Sequence, residues 1–149
     1  MRNGQVFPCP ICLPADARIA VPSGEVPVRE LRRGARVLTV DELGRAVAAD
    51  VIEVGSVRVG VHHALVVVTL VDGRRVRASG GHPTRDGRRF DSLRAGDPLD
   101  GSRVARVEVV RYDGDRTFDL LPAGPTGAYW ADGVLIGSTL SGARSMIAR

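Results

Sequence analysis

Five Asp-Gly dipeptides punctuate this 149-residue chain, at Asp72-Gly73, Asp86-Gly87, Asp100-Gly101, Asp113-Gly114 and Asp132-Gly133. Asp and Gly tolerate the positive φ angles that tight hairpin turns demand, and such a pair between apolar runs is the strongest short-range hairpin signal. Between the turns lie short β-branched or alternating segments. They are RVLTV (36–40), ALVVVTLV (64–71), RRVRAS (74–79), RVARVEVVRY (103–112) and AYWADGVLI (128–136), the last a hairpin in itself. No stretch sustains an apolar period of 3.6 residues, and only VREL (28–31) and FDSL (90–93) suit single helical turns. The expectation is an all-β domain built from many short strands and hairpins.

Length fits one domain with a real core, and a hydrophobic share of 44% excludes a disordered chain. Aromatics are only 4%, so aliphatic side chains must fill the interior. All 21 basic residues are Arg, and the net charge is +4. Acidic residues are interleaved with them, with no like-charge block and no basic helix, so charged outer strand faces are expected rather than a nucleic-acid surface. The longest apolar run, residues 64–71, falls well short of the ~20 residues a membrane span needs. The opening MRNGQVFPCP has no apolar leader core. A soluble monomer without cofactor, nucleic acid or membrane is expected, with a cytoplasmic setting slightly favoured.

Both cysteines, Cys9 and Cys12, sit in CPIC just ahead of a strand-like run. A zinc site needs four ligands at tight spacing, and this pair with three scattered His is incomplete. A thioredoxin-type redox pair wants a helix start within a βαβ unit, which the pattern does not offer. A disulfide that blocks one thiol and a nucleophile poised at a peptide bond both remain. A faint internal repeat adds a second clue: LRRGARVL (31–38) resembles LRAGDPLD (93–100), which suggests two related halves.

The order of motifs then resembles a known superfamily. Cys12 followed by LPADARIAVPSGEVPVRELRRGARVLTVD resembles the N-terminal splicing motif of inteins and Hedgehog autoprocessing domains, the Hint superfamily. RASGGHPTRDGRRFDSLRAGDPL (77–99) is similar to its second motif, a Thr or Ser three residues before a His, here Ser79 and His82. RTFDLLPAGPTGAYWADGVLIGST (116–139) is similar to its paired C-terminal motifs. The resemblance runs from Cys12 to about Ile136 and leaves no room for an endonuclease insert. It divides the chain into a flanking segment, 1–11, a Hint domain, 12–136, and a tail, 137–149.

The resemblance implies a horseshoe-shaped, pseudo-twofold β fold in which Cys12, His82 and Asp119 converge. It also implies an N-to-S acyl shift at the Ile11–Cys12 bond: the Cys12 sulfur attacks the Ile11 carbonyl and an amide becomes a thioester. Thiolate is the nucleophile, and a free Cys titrates near ~8.5, so the thiol needs a base. The oxyanion needs donors and the departing nitrogen needs a proton. His82 matches the residue that supplies that proton, Ser79 a hydroxyl that hydrogen-bonds the scissile peptide, and Asp119 an acidic position suited to exchange a proton with the thiol. Turn, loop and ion-pair roles stand as the alternatives for these three, and His62 and His63 are expected to be structural or strand-end residues.

The pattern departs from a splicing intein at its end. The matching positions read Gly137-Ser138 and then Thr139, where the family has His-Asn and then Cys, Ser or Thr. The one Asn of the chain is Asn3, so no side chain is available for succinimide cyclisation at the C-terminal junction. Sterol transfer is also disfavoured, because the family's activating Asp would fall near Gly55 or Ser56. Three readings follow. The first is a single-turnover, self-processing domain that forms a thioester at Cys12 and passes its own flanking polypeptide to water, a thiol, an amine or the nearby hydroxyl of Thr139. The second is a catalytically silent module of the same fold. The third is a metal-binding module using Cys9 and Cys12.

Overall fold

The computed structural model describes residues 13–140. Cys9, Ile11 and Cys12 lie outside the described residues, as does the tail beyond Leu140. Twelve strands follow in order: β1 (Leu13–Pro14), β2 (Arg18–Val21), β3 (Gly24–Pro27), β4 (Arg36–Val40), β5 (Ala46–Arg58), β6 (Ala64–Leu70), β7 (Arg75–Ala78), β8 (Pro98–Leu99), β9 (Ser102–Arg111), β10 (Arg116–Pro122), β11 (Tyr129–Ala131) and β12 (Val134–Ile136). Two single 3-10 turns, Val28–Glu30 and Phe90–Ser92, stand where the sequence places them, and residues 139–140 are also helical. The strands form three four-stranded antiparallel sheets, ordered β1-β10-β5-β4, β12-β11-β2-β3 and β7-β6-β9-β8. The fold is all-β, and its curled sheets form half-barrels, as the resemblance implies.

The Asp-Gly turns behave unequally. Asp100-Gly101 and Asp132-Gly133 both hold positive φ at each residue, 45° and 78°, and 51° and 82°. These two-residue turns close the β8–β9 and β11–β12 hairpins. Asp72-Gly73 lies in the β6–β7 connection, and Asp86-Gly87 in a small loop closed by a bridge between Pro83 and Arg89. Asp113-Gly114 makes no hairpin: β9 pairs with β6 and β8, whereas β10 pairs with β5 and β1. The chain there passes from one sheet to another.

Burial explains the strand composition. Val66, Val67 and Val68 of β6 are each no more than 5% exposed, because β6 lies between β7 and β9 and is covered on both faces. The largest fully buried side chains are Tyr129 and Phe90, and the rest of the main core is nearly all aliphatic. β5 is the longest strand, with 13 residues. It pairs with β4 through its first half and β10 through its second, so it bends from one partner to the other.

The internal repeat is far longer in hydrogen bonding than in sequence. In the first half Ala17 N–H donates to Pro14 O, Val28 N–H to Ala17 O and Arg29 N–H to Ala15 O. In the second half His82 N–H donates to Ser79 O, Phe90 N–H to His82 O and Asp91 N–H to Gly80 O. Each half then enters its 3-10 turn, caps it with a leucine and bends at a glycine of positive φ, Gly34 (88°) or Gly96 (95°). Leu31 and Leu93 occupy matching places in the core. The pairing makes Ala17 and His82 pseudo-equivalent, so one half puts an inert methyl where the other puts an imidazole.

Candidate active site

His82 ends the turn Ser79-Gly80-Gly81-His82, closed by its own N–H to Ser79 O at 3.1 Å. Glycine is needed at position 80. A Cβ there would stand 2.9 Å from Asp91 Oδ2 and 3.0 Å from Asp91 Cβ, so a side chain would force the Asp91 side chain or the turn to shift. The His82 ring is fully buried and meets Phe90 edge to face at 5.9 Å. Its Nε2 lies 2.8 Å from the Gly137 carbonyl oxygen. A carbonyl only accepts, so in the neutral ring Nε2 carries the hydrogen and Nδ1 presents a lone pair. Nδ1 is buried without a hydrogen-bond partner among the described residues.

Burial pushes the His82 pKa below its ordinary value. The Asp119 carboxylate and the Gly137 carbonyl oppose that shift without cancelling it. The ring is therefore neutral near pH 7, with its one free basic atom buried.

Asp119, on β10, is 1% exposed, and four donors meet its two oxygens. Oδ1 accepts from the Leu120 N–H at 2.7 Å and from the Tyr129 hydroxyl. Oδ2 accepts from the Thr139 N–H at 2.8 Å and the Thr139 hydroxyl at 2.5 Å. The alternative of an Asp119–Arg ion pair does not hold: the partners are Tyr129 and Thr139. Ser138 adds a further anchor, its hydroxyl donating to Leu120 O at 2.7 Å. The segment from Gly137 to Thr139 is thus bound to His82, Leu120 and Asp119 in succession.

Four of the five sequence-derived site residues lie among the described residues, and all four are at least partly buried. His82, Asp119 and Thr139 come together as above, and Ser79 sits one turn before His82. Cys12, the fifth, is outside the described residues. Leu13 after it is fully buried and pairs with Phe118, the neighbour of Asp119. Gly55 pairs with Asp119 and Ser56 with Phe118, so no acidic side chain stands across from Asp119 on β5.

Two contributors escaped the sequence. Gly137 acts through its carbonyl, which no motif reveals. His63 places Nε2 2.6 Å from the Ser79 hydroxyl. The signal for it was the hairpin register: with Val66 opposite Ala78, Ser79 falls opposite Leu65, and His63 is its diagonal neighbour on the same face. Among the described residues no group of three or more His, Cys, Asp or Glu could hold a metal ion. The metal reading rests on Cys9 and Cys12, outside that range. No helix among the described residues is long and apolar enough to cross a membrane.

No family model and no curated protein matches the sequence. Solved structures do match the fold. The Ssp DnaB mini-intein variant M86 superposes with a TM-score of 0.71 at 17% identity, over 85% of this chain and 92% of its own. A bacterial intein-like domain from Clostridium thermocellum gives 0.72 at 18%, over 85% and 98%. A DnaB intein from Synechocystis sp. PCC 6803 gives 0.69 at 18%, over 85% and 97%. Nearly the whole length of each neighbour is matched, at an identity that speaks for architecture alone: this chain has the Hint fold, the fold of inteins and bacterial intein-like domains.

Proposed function

We propose that this chain is a self-processing Hint domain that forms a thioester at Cys12 and releases the segment ahead of it, without full splicing. The observation that carries the reading is His82: fully buried, neutral, fixed through Nε2 and with an Nδ1 that has no hydrogen-bond partner among the described residues. A turn residue has no need of such an environment, and an acid–base catalyst does.

In this reading Nδ1 takes the Cys12 thiol proton, and the sulfur attacks the Ile11 carbonyl carbon. The C–N bond breaks, and Nδ1 returns the proton to the departing α-nitrogen of Cys12. Ser79 supplies a hydroxyl to the scissile peptide. The thioester then passes its acyl group onward. Thr139 is the built-in acceptor of this reading, because Asp119 Oδ2 already receives its hydroxyl hydrogen and could take that proton. An external thiol, amine or water has a route as well: a surface groove lined by Arg29, Arg32, Gly55, Ser56 and Phe118 leads to Asp119. Position 138 is Ser, so an ester formed at Thr139 would end in hydrolysis rather than in Asn-driven excision.

One observation favours the silent module instead. All donors around Asp119 are already satisfied, as in a purely structural carboxylate. A reporter fused ahead of Ile11 and treated with excess thiol separates the two readings. Release of the reporter that Cys12→Ala abolishes supports self-processing, and an intact fusion supports the silent module.

A further inference from the structure

Ser79 is 3% exposed, and the one hydrogen-bond partner of its hydroxyl among the described residues is His63 Nε2, at 2.6 Å. His63 stands just ahead of β6, outside the motifs that define the site. It is braced on two sides. The Tyr112 N–H donates to the His63 carbonyl at 3.0 Å, and the Tyr112 ring meets the imidazole edge-on at 6.2 Å. The Tyr112 hydroxyl in turn accepts the Ala15 N–H at 3.0 Å and donates to Arg116 O at 2.6 Å. Ala15 follows β1, so one rigid chain of contacts runs from the turn after Leu13, through Tyr112 and His63, to Ser79.

A serine has one hydroxyl hydrogen. If Ser79 gave it to His63, nothing would be left for the scissile peptide, and the hydroxyl could only accept. We propose that His63 is a positioning residue that donates its Nε2–H to Ser79 Oγ, leaving the Ser79 hydrogen free to point at the peptide ahead of Cys12. The inference rests on the self-processing reading and assigns that site a second imidazole with a different task. His82 exchanges protons; His63 holds a hydroxyl in one rotamer. Partial burial keeps His63 neutral near pH 7, so its ring carries a single N–H and the tautomer is a definite property.

Two measurements on the full chain, carrying a reporter ahead of Ile11, test it. Nitrogen-15 NMR of the Cys12→Ala precursor reads the tautomer directly. The expected result is hydrogen on Nε2 and a bare Nδ1 at His63; hydrogen on Nδ1 overturns the proposal. Thiol-induced release is then compared across variants. His63→Leu is expected to slow release by roughly 10-fold or more, to the level of Ser79→Ala, with no further loss in the double variant. His63→Gln keeps an amide donor at the Nε2 position and is expected to stay within about 3-fold of the parent. Release by folded His63→Leu at the parent rate contradicts the proposal, and so does loss in His63→Gln equal to that in His63→Leu. A parent precursor that does not release the reporter defeats the self-processing reading, while the tautomer still decides whether His63 donates.

Discussion

The His82 imidazole donates to the carbonyl oxygen of Gly137 at 2.8 Å, which ties the turn bearing the candidate acid–base group to the segment that follows β12. That bond sets which nitrogen is basic. It also makes the His82 turn and the C-terminal segment mechanically dependent, since Gly137 leads directly into Ser138 and Thr139, themselves fixed on Leu120 and Asp119.

Gly137 should therefore be intolerant of even a methyl group. A Cβ there would lie 2.8 Å from the Thr84 carbonyl oxygen, a backbone atom that cannot swing aside. Gly137→Ala is expected to cost about 1–3 kcal/mol in urea denaturation and to shift the His82 ring resonances. Parent-like stability with unchanged resonances would contradict the packing described. By the same contact, the histidine that the motif resemblance would place at this position does not fit this backbone.

Burial of His82 predicts an acid-labile fold. Unfolded, the ring titrates near 6.5; folded, its pKa is lower. Between the two values the unfolded chain holds the proton and the native one does not, so acidification favours unfolding. The stabilisation is complete above about pH 6.5 and is lost as pH falls toward the folded value, by up to about 1.4 kcal/mol per pH unit. His63, also lowered by partial burial, adds in the same direction. Thermal melts between pH 7.5 and about 5, above most carboxylate titrations, should show a falling Tm. His82→Gln should flatten the fall, and an equal slope in that variant would contradict the assignment.

Asp119 and Tyr129 should be energetically coupled. Asp119→Asn replaces one acceptor with a donor amid four donors, two of them buried, at an expected cost of about 2–4 kcal/mol. Tyr129→Phe removes one of those donors and should cost about 1–2 kcal/mol. Once the carboxylate is gone the tyrosine hydroxyl has less to lose, so the double variant should be more stable than the sum by about 1 kcal/mol. Strict additivity in denaturation would mean that the two groups do not share the bond seen here.

The pseudo-twofold frame makes a paired prediction. Leu31 and Leu93 are both buried, 7% and 3% exposed, each directly after its 3-10 turn. Leu31→Ala and Leu93→Ala should each cost about 2–5 kcal/mol and differ little from each other. A marginal effect in either variant would break the equivalence of the halves.

Most of the architecture was legible in the residues. The valine run of β6, the two-residue Asp-Gly turns and the leucine-glycine repeat each impose a local geometry that survives folding. Asp113-Gly114 misled, because a turn pair fixes local φ but not whether the flanking strands pair with each other. β5 was invisible: most of its residues are exposed or half-exposed, and its Ala, Glu and Gly carry little strand preference. It is held by partners on either side rather than by its own pattern. Within the site, Ser79, His82, Asp119 and Thr139 were named from motif order. Gly137 was not, because its contribution is a backbone carbonyl, and His63 was read only as a structural or strand-end residue because its partner is distant in sequence.

The most direct measurement is mass spectrometry of a reporter–Ile11–Cys12 fusion of this chain incubated with excess thiol near pH 7.5. The account predicts a reporter ending at Ile11 as its thioester or acid, slowed by His82→Ala and absent in Cys12→Ala. A fusion that stays intact in all three proteins would contradict it and leave the fold without this chemistry.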